Sequence, residues 1–220
     1  MDVHNTFDLV SIFANASLVT LEVALLSILL AIFIGFVSAV ILFYEIRVLK
    51  TLIKAYVAFL RNTPSLIQAY FIFYGLPKVF LTMSSFICSV IVLSLLGGAY
   101  MCEAILSGMK AITASQRELA MALGLSRLDT IRYLILPQAV STSIAAICNN
   151  AMFLTKEVSA MKLILLPEIV YQAFAIISLR PDLITAVAAF MILSYLIILI
   201  PMTYLFSKLE RKIRFAEFGS

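Results

Sequence analysis

Side chains able to do chemistry are sparse in this sequence, and most of them sit at the edges of long apolar runs. Lys156 and Glu157 close one such run, with Asn149 and Asn150 about two helical turns before them. A charge inside a hydrocarbon interior costs roughly 2.5–3.5 kcal/mol on insertion scales, so such groups usually face a cavity or a partner. Adjacent Lys and Glu side chains offer complementary charges to a solute that carries both a carboxylate and an ammonium, although neighbours on a helix point about 100° apart. A plainer assignment also fits: a lysine reaching toward the interface from a helix end, beside an interfacial glutamate. Gln68 lies within another apolar run, where its amide would be unsatisfied in lipid, so it must face protein or a cavity. Glu103 follows Gly97-Gly98 near the end of a third run and suits an ion pair with a loop arginine.

Other chemistries lack their residues. The one histidine, His4, is in the N-terminal tail, which argues against a histidine metal site or general base. Cys88, Cys102 and Cys148 all fall in apolar runs with no C-x-x-C pair and read as small reduced core residues. No phosphate loop of the form G-x-x-x-x-G-K-[ST] occurs, so ATP is not bound in that way. Paired intramembrane carboxylates or an activated serine, as an intramembrane enzyme needs, are not apparent either.

The elements that must position these residues follow from composition. Hydrophobic residues make up 63% of the chain and charged residues 13%, with a mean hydropathy of +1.10. A soluble domain carries about 25% charged residues. An all-α integral membrane protein is therefore expected. The net charge of +4 needs no nucleic acid, because basic loops that hold a membrane topology account for it.

A helix needs about 20 apolar residues to cross a bilayer core. Uncharged runs between Glu22 and Glu45, Arg61 and Lys78, Lys78 and Glu103, Arg132 and Lys156, and Asp182 and Lys208 supply about five candidates. Ile169–Leu179 is roughly half that length and suits a helix in the interface or packed on the bundle. With the N-terminus outside, Arg47, Lys50, Lys54 and Arg61, then Lys110, Arg117, Arg127 and Arg132, then Lys208, Arg211, Lys212 and Arg214 all fall on inner segments. The positive-inside rule thus predicts N-out, C-in. No cleaved signal peptide is expected: the first apolar run is longer than an h-region and lacks a small-residue cleavage pattern after it.

One inner loop contains ELAMALGLSRLDTIRYLILPQA, Glu118 to Ala139, which alone reads as a helix-turn-helix. Gly124 suits the left-handed end of a first short helix. Ser126 with Asp129 forms a capping-box pattern for a second, which Pro137 limits. Reading DNA needs free approach of the second helix to a groove. Here both ends are tethered to membrane spans, so a docking element for a cytoplasmic protein is the better reading.

The loop resembles the signature of permease subunits of ATP-binding-cassette importers: E-A-A, three residues, G, about nine residues, then I-x-L-P. Here the positions are Glu118-Leu119-Ala120, Gly124 and Ile135-Leu136-Pro137, with Leu119 where alanine is usual. FLRNTPSLIQAYFIFYGLP, Phe59 to Pro77, is similar to the R-G-T-P-x-L-x-Q stretch of the polar amino-acid permease subfamily, with Asn62 for glycine. FLTKEVSAMKLI, Phe153 to Ile164, is similar to its L-x-K-D-T-S-L segment, with Glu157, Val158 and Ala160 departing from it. The ending LFSKLERKI also fits, so the likeness runs from about Ala16 to Ile213.

The resemblance implies a type I ABC importer permease bundle with about five transmembrane helices and a cytoplasmic coupling helix. Its parts would be an extracytoplasmic segment 1–15, a permease domain 16–208 and a cytoplasmic tail 209–220. Spans are expected at about 18–44, 62–77, 80–107, 136–160 and 183–207, with a coupling loop at 109–135. Glu118, Ala120, Gly124, Leu125 and Pro137 would couple to the ATPase. Gln68, Asn149, Lys156, Glu157 and Ser159 would line the substrate path. The chain would catalyse nothing and bind no metal or cofactor, while ATP and Mg would sit in a partner ATPase dimer. A second permease, identical or related, an extracytoplasmic solute-binding protein and membrane lipid complete the expected partners, with no nucleic acid. The expected setting is a bacterial cytoplasmic membrane. A self-sufficient secondary transporter or channel is the alternative, but it predicts coupling acids deep in the spans and an internal repeat, and neither is apparent.

Overall fold

A computed structural model of the chain describes residues 6–78, 82–112 and 114–218. His4 lies outside them, as do parts of the expected segments 1–15, 80–107, 109–135 and 209–220. The described residues form helices joined by turns and short irregular connections, with no strand among them. The helices are α1 (Thr6–Phe43), α2 (Arg47–Asn62), α3 (Ser65–Tyr70), α4 (Ser85–Lys110), α5 (Ala114–Ala122), α6 (Arg127–Asp129), α7 (Leu136–Glu157), α8 (Ile169–Leu179) and α9 (Ile184–Phe218). Four stretches are long and apolar enough to cross a membrane: Asp8–Phe43, Ser85–Lys110, Thr130–Ile164 and Pro181–Ile213.

The stretch expected to be the second span is built from shorter pieces. α2 ends at Asn62 because Pro64 forces Thr63 into an extended conformation, φ −114° and ψ 130°. α3 then restarts and widens into a π-helical turn, Phe71–Gly75, before a short 3₁₀ turn, Leu76–Lys78. The chain around Pro137 also departs from the expectation that this proline limits a short helix. A π-helical turn at Thr130–Ile135 joins α6 to α7, and Pro137 occupies the first turn of α7. Proline lacks an N–H and its ring crowds the carbonyl four residues back; widening the preceding turn relieves both problems. The second short helix is thereby the foot of the Thr130–Ile164 stretch.

α4 is the central helix, packed between α1 and α7 with α2 along its flank. Small residues make the close crossings possible. A β-carbon added at Gly98 would come within 2.6 Å of Ile34 and 2.7 Å of the Tyr56 hydroxyl, and one at Gly108 within 2.6 Å of the Ala139 carbonyl. The main core gathers Val23, Ala31, Leu93, Met101 and Leu154. A second core joins the N-terminal part of α1 to α8 and α9, where Phe13 and Phe190 stack with ring centroids 5.7 Å apart. α8 is thus held against α1 and α9 through Ile169, Ala173 and Ile176. Leu29, Phe33 and Ile197 are each about two-thirds exposed or more, at 65%, 67% and 71%. Such exposure of large apolar side chains suits a bilayer as the surrounding solvent. Buried hydroxyls of Thr20, Ser143 and Thr155 donate to carbonyls four residues earlier, so they need no water.

Candidate translocation and coupling sites

The segment expected to couple to the ATPase is built by local capping chemistry. α5 ends in a Schellman motif: Leu125 N–H donates to the Ala120 carbonyl at 3.1 Å, and Gly124 N–H to the Met121 carbonyl at 3.0 Å. Gly124 carries the motif at φ +82°, a conformation that costs glycine little and other residues more. Nothing lies within 4 Å of where a Gly124 β-carbon would stand, so the space beside it is open. Ser126 then starts α6; its Oγ accepts from Asp129 N–H at 3.2 Å and donates to the Asp129 carboxylate at 2.5 Å. Ala120 is buried, whereas Glu118, Leu119, Met121, Leu123, Leu125 and Leu128 are exposed. Leu123 and Leu128 are about three-quarters exposed, at 74% and 73%. Together these exposed side chains form an apolar patch around Gly124. Pro137 lies apart from that turn, at the foot of α7.

The second site lies where α2, α3, α4 and α7 meet. The Ser65 hydroxyl, at the start of α3, donates to the Glu157 carboxylate at the end of α7. Phe153, one turn before Glu157, stands edge-on to Tyr100 of α4 with ring centroids 5.3 Å apart. The Arg61 guanidinium lies 5.2 Å from the Tyr100 ring centroid and forms an ion pair with Glu103. Arg61, Tyr100 and Glu103 line a 420 Å³ cleft together with Lys54 and Asn62, among others. Cation, carboxylate, amide and aromatic faces are thus gathered beside an otherwise apolar bundle. Such a lining offers hydrogen bonds and charge to a small zwitterion.

The expected path residues are placed unequally. Glu157 is half-buried with Ser65 as its donor, and Lys156 and Asn149 are exposed. Gln68 is buried, and its amide nitrogen donates to the carbonyls of Leu60 and Thr63, at 2.9 and 2.8 Å. It thereby bridges the break that Pro64 makes between α2 and α3. Ser159 hydrogen-bonds to the Tyr195 hydroxyl of α9.

Tyr195 leads to a residue that sequence reasoning missed. Glu168 is 0% exposed, and its carboxylate caps α8 by accepting from Val170 N–H at 2.9 Å and Tyr171 N–H at 2.6 Å. The Tyr195 hydroxyl approaches its second oxygen at 3.4 Å. A charged residue placed between Pro167 and an apolar helix was the available signal.

Residues 23–215 match the family described as binding-protein-dependent transport system inner membrane component, and the chain belongs to that family. It is therefore a multi-pass inner-membrane transport subunit rather than an enzyme, and it works with a separate ATPase and a binding protein. Among relatives, the probable glutamine ABC transporter permease protein GlnP of Bacillus subtilis (strain 168) is 33% identical over 156 residues, covering 71% of this chain and 72% of the relative. The glutamine transport system permease protein GlnP of Escherichia coli (strain K12) is 32% identical over 164 residues, covering 72% of this chain and 73% of that one. A solved structure, described as the crystal structure of an amino acid ABC transporter with histidines, superposes with a TM-score of 0.84. It is 24% identical and covers 96% of this chain and 99% of its own, which shows the type I importer permease fold.

Proposed function

We propose that the chain carries a polar amino acid across the cytoplasmic membrane as one of two permeases, identical or related, driven by an ABC ATPase dimer and fed by an extracytoplasmic solute-binding protein. The observation that carries this reading is the cleft lined by Arg61, Asn62, Tyr100 and Glu103 in an apolar bundle, linked through the Phe153–Tyr100 contact to the helix end that carries the Ser65–Glu157 pair. The Glu157 carboxylate would receive the solute's ammonium, with Lys156, Asn149 and Ser159 on the approach and Gln68 holding the helix break beneath it. The relatives named for glutamine and other amino acids support the substrate class.

In this reading the N-terminus is outside and the C-terminus inside, with spans near 18–44, 62–77, 80–107, 136–160 and 183–207 and a coupling loop at 109–135. ATP and Mg belong to the partner ATPase. The turn formed by Glu118, Ala120, Gly124 and Leu125 would dock in a groove of that ATPase, and Pro137 would transmit its motion to the foot of α7. Exposed leucines around Gly124 give such a contact its apolar area.

The experiment is purification of the tagged chain from its own host, followed by ATP hydrolysis and uptake in liposomes. Recovery of a nucleotide-binding ATPase in stoichiometric amount is expected. Gly124→Asp should insert normally yet lose ATPase association, because it puts a charge and a disfavoured φ into the docking turn. Uptake by the chain alone, in liposomes free of any ATPase, would sink the reading and favour a secondary transporter.

A further inference from the structure

At the end of the bundle where α4 runs into the coupling segment, a second cavity of 280 Å³ opens beside the first. Its apolar floor is Leu42, Phe43 and Leu106, and its polar rim is Glu45, Lys50, Lys54 and Lys110. Three chain segments converge there: the end of α1 with its following turn, the first half of α2, and the last turn of α4. Glu45 sits in that turn at φ +54° and forms an ion pair with Lys50 at 2.7 Å. Lys50 holds the Glu45 carboxyl below its ordinary range by hydrogen bond and charge, and Lys54 and Lys110 add to the effect. Three cations thus act on one anion, and the rim keeps two positive charges in excess.

α2 explains how such a rim comes to lie beside lipid. At 100° per residue, Lys50, Lys54 and Arg61 share one edge of the helix, while Ile53, Val57 and Leu60 face the core. A third side carries Val48, Leu52 and Phe59, all at least 60% exposed. A helix with a basic edge and an exposed apolar side suits the boundary between headgroups and acyl chains. Basic pockets between membrane helices bind anionic lipid headgroups by the same charge complementarity.

We propose that the Lys50–Lys54–Lys110 cavity holds the phosphate of an anionic phospholipid, whose acyl chains start against the apolar floor of Leu42, Phe43 and Leu106. The phosphodiester supplies the missing negative charge, and the apolar floor of the cavity receives the first methylenes of the acyl chains. Glu45 competes with the lipid for the lysines and so tempers its affinity. This inference needs the chain to be membrane-embedded, and it does not depend on which solute is carried.

The test is native mass spectrometry of the full chain with its ATPase, in detergent, titrated with phosphatidylglycerol or phosphatidylcholine. Retention of phosphatidylglycerol should exceed that of phosphatidylcholine by more than about tenfold, at roughly fivefold for each uncompensated lysine. K54Q/K110Q should abolish the preference, K54R/K110R should keep it, and E45Q should raise retention of the anionic lipid several-fold. E45Q tests for a gain, so the result does not hinge on a variant that fails to fold. Equal retention of the two lipids, unchanged retention in K54Q/K110Q, or no gain in E45Q overturns the proposal. Displacement of the lipid by excess inorganic phosphate also overturns it, by assigning the cavity to a soluble anion.

Discussion

Glu157 and Glu168 are eleven residues apart in sequence and flank the same 3₁₀ turn, Val158–Ile164, yet the fold treats them as opposites. Glu168 is fully enclosed, and both of its oxygens accept from backbone N–H groups of the helix it caps. Glu157 is half-buried and has one described donor, the Ser65 hydroxyl, 92 residues away in sequence. A carboxylate whose lone pairs are committed to backbone amides holds structure together. One with spare acceptor capacity at a half-buried helix end is available to a ligand. Identical chemistry at two nearby positions is therefore divided by hydrogen-bond accounting rather than by depth alone.

The sharpest way to break that division is Glu157→Gln. Glutamine keeps an acceptor for Ser65, so the thermal unfolding midpoint in detergent should stay near that of the parent. A charge-assisted hydrogen bond to an ammonium is worth about 1.5–3 kcal/mol. The solute concentration needed for half-maximal uptake in liposomes should then rise roughly 10- to 100-fold. Wild-type uptake in this variant would return Glu157 to a role at the interface.

Glu168→Ala should do the reverse. It leaves the Val170 and Tyr171 N–H groups without their acceptor inside the protein, at a cost of about 2–3 kcal/mol. The unfolding midpoint should fall clearly, while the surviving folded protein keeps its affinity for solute. If affinity falls and stability does not, the assignment of the two carboxylates is inverted.

The third change targets the link between Glu157 and α3. Ser65→Ala removes one hydrogen bond to a charged group, worth about 1.5–3 kcal/mol. Freed of its donor, the Glu157 carboxylate should lose its orientation, and uptake should weaken by about three- to tenfold, with a fall in the unfolding midpoint smaller than that of Glu168→Ala. Glu157→Gln combined with Ser65→Ala should then be no worse than Glu157→Gln alone, since both act through the same carboxylate.

How far the sequence reveals these sites depends on how local their chemistry is. Gly124, Ser126 and Asp129 lie within six residues, and the spacing alone predicts the C-cap and N-cap that the structure shows. The glycine needs positive φ and the serine needs an orphan N–H, and both needs are met inside the segment. Glu168 was not legible as a cap, because glutamate is not among the usual N-cap residues and its third contact, Tyr195, lies on α9. The meeting of Ser65 with Glu157, and of Arg61 with Glu103, depends on how α2, α3, α4 and α7 cross, which no spacing encodes. The amphipathic α2 and its break were hidden for another reason. Reading for 20-residue apolar runs passes over a basic helix and a short apolar one joined at Pro64.

The smallest effect belongs to Tyr195→Phe, which refines the account of Glu168. At 3.4 Å the tyrosine hydroxyl is a weak donor compared with the two backbone N–H groups at 2.6 and 2.9 Å. Phenylalanine preserves the ring packing between α8 and α9 and removes only this contact and the bond to Ser159. The loss should stay under about 1 kcal/mol, visible as a small drop in the unfolding midpoint. In a Glu168→Ala background the same change should cost less, because the hydroxyl has already lost its carboxylate partner. If Tyr195→Phe instead costs as much as Glu168→Ala, the buried carboxylate depends on α9 rather than on the N-terminus of α8. Glu168 would then be a clasp between two helices, and its contrast with Glu157 would lie in partner choice rather than in satisfied backbone.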